Sequence, residues 1–172
     1  PNEVTMQINE IKRQAENLSK LHEISHQLSG FPESVIADGR VFVKEGMLLK
    51  INPKKKLQER HFLLFSDIII WAERVGVKKY RYRDHIPMAS SLVKEPDPVR
   101  DKAPKGIVPA PHFANTFQIV QMERQKVYTL IAKDDKEKKE WMDVLDKVVS
   151  GKFNIGQGDT KDKADHTETP TI

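Results

Sequence analysis

Apolar side chains in the first part of the chain recur at helical spacing. Val4, Ile8, Ile11, Ala15, Leu18, Leu21, Ile24 and Leu28 form one stripe, with polar residues filling the positions between. The pattern predicts an amphipathic helix of about six or seven turns. Gly30 and Pro32 supply its stop. A single helix cannot bury its own stripe. It packs on the domain that follows, pairs with another helix, or ends a larger helical unit, and the last of these is the favoured expectation.

From Val41 the period shortens to that of strands. The runs Val41–Ile51, Arg60–Phe65, Ile68–Glu73, Tyr80–Ile86, Ser91–Lys94, Thr116–Gln121 and Val127–Ala132 read as strands. Turn signals at Asn52-Pro53, Ser66-Asp67, Val75-Gly76 and Met122–Lys126 separate most of them. Seven short strands with close turns predict a mainly β fold, an antiparallel barrel or sandwich. The helical period then returns. Asp134 and Glu137 make an approximate capping box, Trp141, Val144, Leu145, Val148 and Val149 form the apolar face, and Gly151 ends the helix. Trp141 is read as a core residue because it sits on that face.

Two stretches break the rhythm. Residues 95–114 hold five of the ten prolines and little periodic apolar content, which predicts a long surface loop. Residues 152–172 are polar and aperiodic, which predicts a disordered tail. The organisation expected is a helix over 1–30, a linker over 31–40, a β domain over 41–151 and the tail.

Composition narrows the class. With 172 residues, 38% hydrophobic and 31% charged, one cored domain plus appendages is expected. The absence of cysteine excludes disulfides and cysteine metal sites and fits a reducing, cytoplasmic setting. No apolar run approaches the roughly 20 residues of a bilayer span. The opening Pro1-Asn-Glu-Val-Thr shows no secretory signal pattern, and the sequon Asn17-Leu18-Ser19 reads as chance. Six scattered histidines, with His22 and His26 four apart on one helix face, make no metal set. Gly156-Gln-Gly158 lacks the strand and helix a phosphate-binding glycine loop needs. No Ser, His and Asp set stands out. No cofactor, metal or catalytic centre is expected.

Charge changes the picture more. Residues 1–38 carry three basic against six acidic side chains, residues 89–172 balance, and residues 39–88 carry 12 basic against five acidic. Lys50 closes the first strand, Lys54, Lys55 and Lys56 fill the turn, and Arg60 opens the second strand. Lys78, Lys79, Arg81 and Arg83 follow on the next hairpin. Such a rim suits a multiply charged anion or an acidic membrane, against the plain alternative of a solvated hairpin tip. Aromatic residues are not interleaved with the cations as a base-stacking platform, so nucleic acid is not an expected partner.

Taken together, Glu45-Gly-Met-Leu-Leu-Lys50, Arg60-His-Phe-Leu-Leu-Phe-Ser-Asp67, Ile86-Pro-Met88, Phe117-Gln-Ile-Val120, Tyr128-Thr-Leu-Ile-Ala132 and Glu137-Lys-Lys-Glu-Trp141 resemble, in order and spacing, the pleckstrin homology (PH) domain. Gln58-Glu-Arg60 and the strand after it resemble the PH domains of Dbl-family Rho guanine nucleotide exchange factors, and within them the faciogenital-dysplasia type. Ile24-Ser-His-Gln-Leu-Ser-Gly30 looks like the end of the preceding Dbl homology domain. The resemblance implies a non-catalytic, monomeric PH module at the membrane periphery. It would bind phosphoinositide or acidic membrane weakly and orient an exchange domain that acts on a Rho-family GTPase. The implied binding residues are Lys50, Lys54, Lys55, Lys56, Arg60, Arg83, Lys78 and Lys79. The sequence departs from tight headgroup binders at Gln58, where they carry a basic residue, and at Ala72, near their usual tyrosine. The alternative is a protein-interaction PH module that contacts the GTPase, the exchange domain or a cytoskeletal partner without lipid.

Overall fold

A computed structural model describes residues 2–97 and 115–152. Helix α1 (Asn2–Gln27) leads into eight strands: β1 (Leu28–Ser29), β2 (Phe42–Ile51), β3 (Leu57–Phe65), β4 (Ile68–Gly76), β5 (Lys79–Pro87), β6 (Ser91–Lys94), β7 (Thr116–Gln121) and β8 (Lys126–Ile131). Helix α2 (Asp135–Val149) follows. The predicted loop from residue 98 onward, and the predicted tail from residue 153 onward, lie outside the described residues.

The strands form one sheet in the order β1-β5-β4-β3-β2-β8-β7-β6. Two antiparallel meanders, β2 to β5 and β6 to β8, join where β2 pairs with β8 at Leu49↔Ile131 and Lys50↔Leu130. Strand alternation divides the side chains of β3. Phe62 and Leu64 face the barrel core with Leu48, Ile69, Trp71, Phe117, Ile119, Tyr128 and Leu130. Leu63 and Phe65 face outward, where Leu21, Ile24, Leu28 and Val35 cover them. Both faces of β3 are covered, so it reads as an unbroken apolar run instead of an alternating one.

Helix α2 closes the barrel with Trp141, Leu145 and Val148. Asp134 Oδ1 accepts from the Glu137 amide at 2.8 Å, while Glu137 Oε1 accepts from the Lys133 amide at 3.1 Å, one residue earlier than a strict capping box. The other end is a Schellman closure. Gly151, at φ +75°, donates to the Val148 carbonyl and Lys152 to that of Lys147. Trp141 is 1% exposed, as its place on the apolar face predicts.

Most strand ends differ from the expectation by at most one residue, and three places differ in kind or by more. Helix α1 stops at Gln27, and Leu28-Ser29 forms a two-residue strand parallel to Tyr80-Arg81 before Gly30, at φ +86°, turns the chain away. Two residues carry no period, so β1 left no pattern to read. β3 begins at Leu57, not Arg60, and β4 runs to Gly76, because ladder pairing continues past the apolar runs. Only part of the α1 stripe finds a cover. Leu21, Ile24 and Leu28 are buried on the barrel, whereas Val4, Ile8, Ile11 and Leu18 are exposed.

Polar contacts fasten α1 and the linker to the barrel. Asn17 donates through Nδ2 to the Arg40 carbonyl and accepts through Oδ1 from the Phe42 amide, both at 2.8 Å. Arg40, 6% exposed, donates to Asp67 and to the carbonyls of Ser34 and Val35. Lys20 Nζ reaches Glu45 at 2.7 Å, and His61 Nε2 donates to the other Glu45 oxygen at 2.8 Å. The His61 ring stacks on Tyr80 at 4.2 Å. The Glu45 carboxyl is held down at about 2, first by the His61 hydrogen bond and then, against the cost of burial, by Lys20.

Candidate functional site

The ends of β2 and β4 and the starts of β3, β5 and β8 share one end of the barrel, as their antiparallel registers require. Here the core gives way to cations. Lys50 is on the inward face of β2, two residues past buried Leu48, and Arg60 is on the inward face of β3, two residues before Phe62. Lys50 Nζ stands 5.7 Å from the Trp71 ring centre and 5.8 Å from that of Tyr128. The two rings touch at 5.1 Å. They make an aromatic floor beneath an ammonium, a cation–π arrangement. Trp71 is 5% exposed. The core faces it from both meanders.

The charges on this floor are poorly neutralised. Among the described residues no carboxylate stands within ion-pair distance of Lys50, Arg60 or Lys126. Burial, with repulsion from Lys126 and Arg60, pushes the Lys50 ammonium below its ordinary pKa, and Asp84 only partly opposes this. Burial and Arg83 lower Arg60 in the same way, with Glu73 opposing. The neighbouring carboxylates are committed elsewhere. Glu73 lies 3.4 Å from Arg81 and 4.0 Å from Arg83, and Asp84 3.2 Å from Arg124. An anion entering here would meet cations that gain from its arrival.

The remaining predicted residues surround this depression. Lys54, Lys55 and Lys56 are exposed on the β2–β3 turn, which Asn52 closes by accepting from the amides of Lys55 and Lys56. Lys78 and Lys79 are exposed at the β4–β5 turn. Arg83 is 45% exposed on β5 and shares Glu73 with Arg81. Thus Lys50, Arg60 and Arg83 converge, while the five lysines form two projecting turns. Sequence reasoning missed Lys126 and Arg124 on the β7–β8 turn and the aromatic pair beneath Lys50. Arg124 anchors that turn to β5 through Asp84 and the His85 carbonyl, and its contact with Tyr128 raises its pKa. Two cations in the short segment Met122-Glu-Arg-Gln-Lys126 were the available signal.

Two meanders closed by a helix that buries its tryptophan, with cationic turns at the open end, define a pleckstrin homology fold. The chain belongs to the SOS1/NGEF-like PH domain family, whose family model matches residues 35–148, about two thirds of the chain. Among curated proteins it is similar to mouse "FERM, ARHGEF and pleckstrin domain-containing protein 2", at 32% identity over 90% of this chain. It is also similar to human "FYVE, RhoGEF and PH domain-containing protein 6", at 28% over 86%. The chain spans only 13% and 9% of those relatives' lengths. Among solved structures, a Vav1 structure with an allosteric inhibitor superposes with TM-score 0.72 at 20% identity, over 88% of this chain and 37% of that one. The DH/PH domains of p115-RhoGEF give 0.65 at 18%, over 87% and 45%. The DH/PH fragment of PDZRHOGEF, in complex with human RhoA, gives 0.61 at 19%, over 87% and 43%.

Proposed function

We propose that this chain is the membrane-directed, non-catalytic PH module of a Rho-family exchange factor. It binds phosphoinositide headgroups or acidic membrane weakly and holds the adjoining exchange domain at the bilayer, at the cytoplasmic periphery. The observation that carries this reading is the set of part-buried, poorly neutralised cations over the Trp71–Tyr128 floor, with Lys54, Lys55, Lys56, Lys78 and Lys79 projecting beside it. Charge-assisted hydrogen bonds to a phosphate contribute roughly 1.5–3 kcal/mol each. Cations near an anionic leaflet add about 1 kcal/mol each, screened by salt. Gln58, paired with Lys50 across β2 and β3, removes a contact that tight binders have, so affinity is low and attachment multivalent; Ala72 does not bear on the site, because it is buried on the outer face beneath α1.

The test is co-sedimentation with vesicles bearing a panel of phosphoinositides. Wild type should pellet, and Lys54→Glu/Lys55→Glu/Lys56→Glu should stay largely in solution. Equal pelleting of both proteins would sink the membrane reading. The chain alone should not accelerate nucleotide release from a Rho-family GTPase.

A second reading has its own observation. The first half of α1 exposes Val4, Ile8 and Ile11 on one face, as a helix that ends a larger helical unit would. On this reading α1 is the last helix of an exchange domain, and the PH barrel contacts that domain or its GTPase. GTPase capture without vesicle binding would favour it.

A further inference from the structure

Lys50 stands where the barrel core meets its cations, in surroundings unusual for a lysine. Its ladder partners are Gln58 on β3 and Leu130 on β8, so neither neighbouring strand sets a carboxylate opposite it. Aromatic rings crowd its ammonium instead, with Nζ 5.7 Å from the Trp71 centre and 5.8 Å from that of Tyr128. Burial, then repulsion from Lys126 and Arg60, works against the charged form. The opposing carboxylate, Asp84 on β5, is engaged with Arg124 at 3.2 Å.

A lysine held partly out of water among other cations has more free amine at neutral pH than a solvated lysine. The free amine carries a lone pair and is a nucleophile, which the ammonium is not. Lys54, Lys55, Lys56, Lys78 and Lys79 carry the same side chain on exposed turns of the same molecule and serve as an internal reference. The cations that repel an ammonium also attract an anion. Arg60 offers a planar fork that matches phosphate oxygens, and Lys126 a second positive charge. An acyl group attached to phosphate would therefore be drawn to the one lysine best able to attack it. The product is a neutral amide, which ends the repulsion from Arg60 and Lys126.

We propose that Lys50 is an acylation site, modified directly by anionic donors of the acyl phosphate class that Arg60 and Lys126 hold. Nζ attacks the acyl carbon as the free amine and forms the N–C bond. The C–O bond to phosphate breaks, inorganic phosphate departs with the electron pair, and the surplus Nζ proton passes to water. The reaction uses the cationic end of the barrel but requires no lipid there. Acylation removes the central cation of the site and so sets whether the site still attracts anions.

The chain is incubated with acetyl phosphate at neutral pH, and acetylation of each lysine is followed by peptide mass spectrometry. Lys50 should react severalfold faster than the five turn lysines, and its rate should level off at a lower pH than theirs. Arg60→Gln/Lys126→Gln should bring Lys50 down to the rate of the turn lysines. A second comparison needs no variant: neutral p-nitrophenyl acetate in place of acetyl phosphate should narrow the lead of Lys50. A Lys50 rate no higher than that of the turn lysines overturns the inference, as does an equal lead with both donors. Vesicle pelleting is measured on the same preparation. Pelleting without Lys50 selectivity overturns the inference and leaves the membrane reading standing. Selectivity in a chain that does not pellet supports the inference and removes the membrane reading.

Discussion

Lys50 and Glu45, five residues apart on β2, show opposite solutions to the same problem. Glu45 is a part-buried carboxylate with two donors, and its ionised form is favoured. Its folded pKa of about 2 lies below the ordinary 4.5, so its contribution to stability is complete above that value and is lost as the pH falls toward 2. Allowing for screening, about 1–2 kcal/mol is at stake. Glu45→Gln should lower the neutral-pH denaturant midpoint and flatten the acid limb of a stability-versus-pH curve. Lys50 is a part-buried cation among cations, and its charged form is disfavoured. The cost is present at neutral pH and disappears as the pH rises through the ordinary lysine value. Lys50→Met should therefore stabilise the fold by roughly 0.5–1 kcal/mol while abolishing anion binding, as thermal unfolding and vesicle titration would reveal. An unchanged or lowered midpoint would show that Lys50 is better compensated than its surroundings indicate.

Elements explain what a reader of the chain recovers and what stays hidden. Helix α2 was legible throughout because capping, apolar face and terminator are all local. Trp141→Ala should cost about 3–5 kcal/mol and Asp134→Ala about 1 kcal/mol, measured by urea denaturation. β3 was legible as a strand, but its double-sided burial was not, since the cover on its outer face comes from Leu21, Ile24 and Leu28 of a distant helix. Asn17 shows the same limit. In the sequence it opened a chance sequon, whereas in the fold it bridges α1 to the chain entering β2. Asn17→Ala should speed hydrogen exchange at the Phe42 amide without changing the exchange of α2. The candidate anion site was half-legible. Lys50 and Arg60 close adjoining strand ends and could be placed by register, but Lys126 and Tyr128 come from a strand some seventy residues later. Only the β2–β8 pairing brings them over Trp71.

At the scale of the whole molecule, α1 and the open end of the barrel belong to different faces of one first meander. The helix covers the outer face, while the cationic turns stand at the strand ends. Asn17, Lys20 and buried Leu21 and Ile24 fix the last part of the helix to that face. The fastening has a mechanical consequence. On the proposed membrane reading, a barrel seated by its turns carries α1 as a lever of set pitch, so whatever extends from the helix would be presented at a defined angle to the surface. Loosening Asn17 and Lys20 would leave the attachment as strong as before and remove its sense of direction.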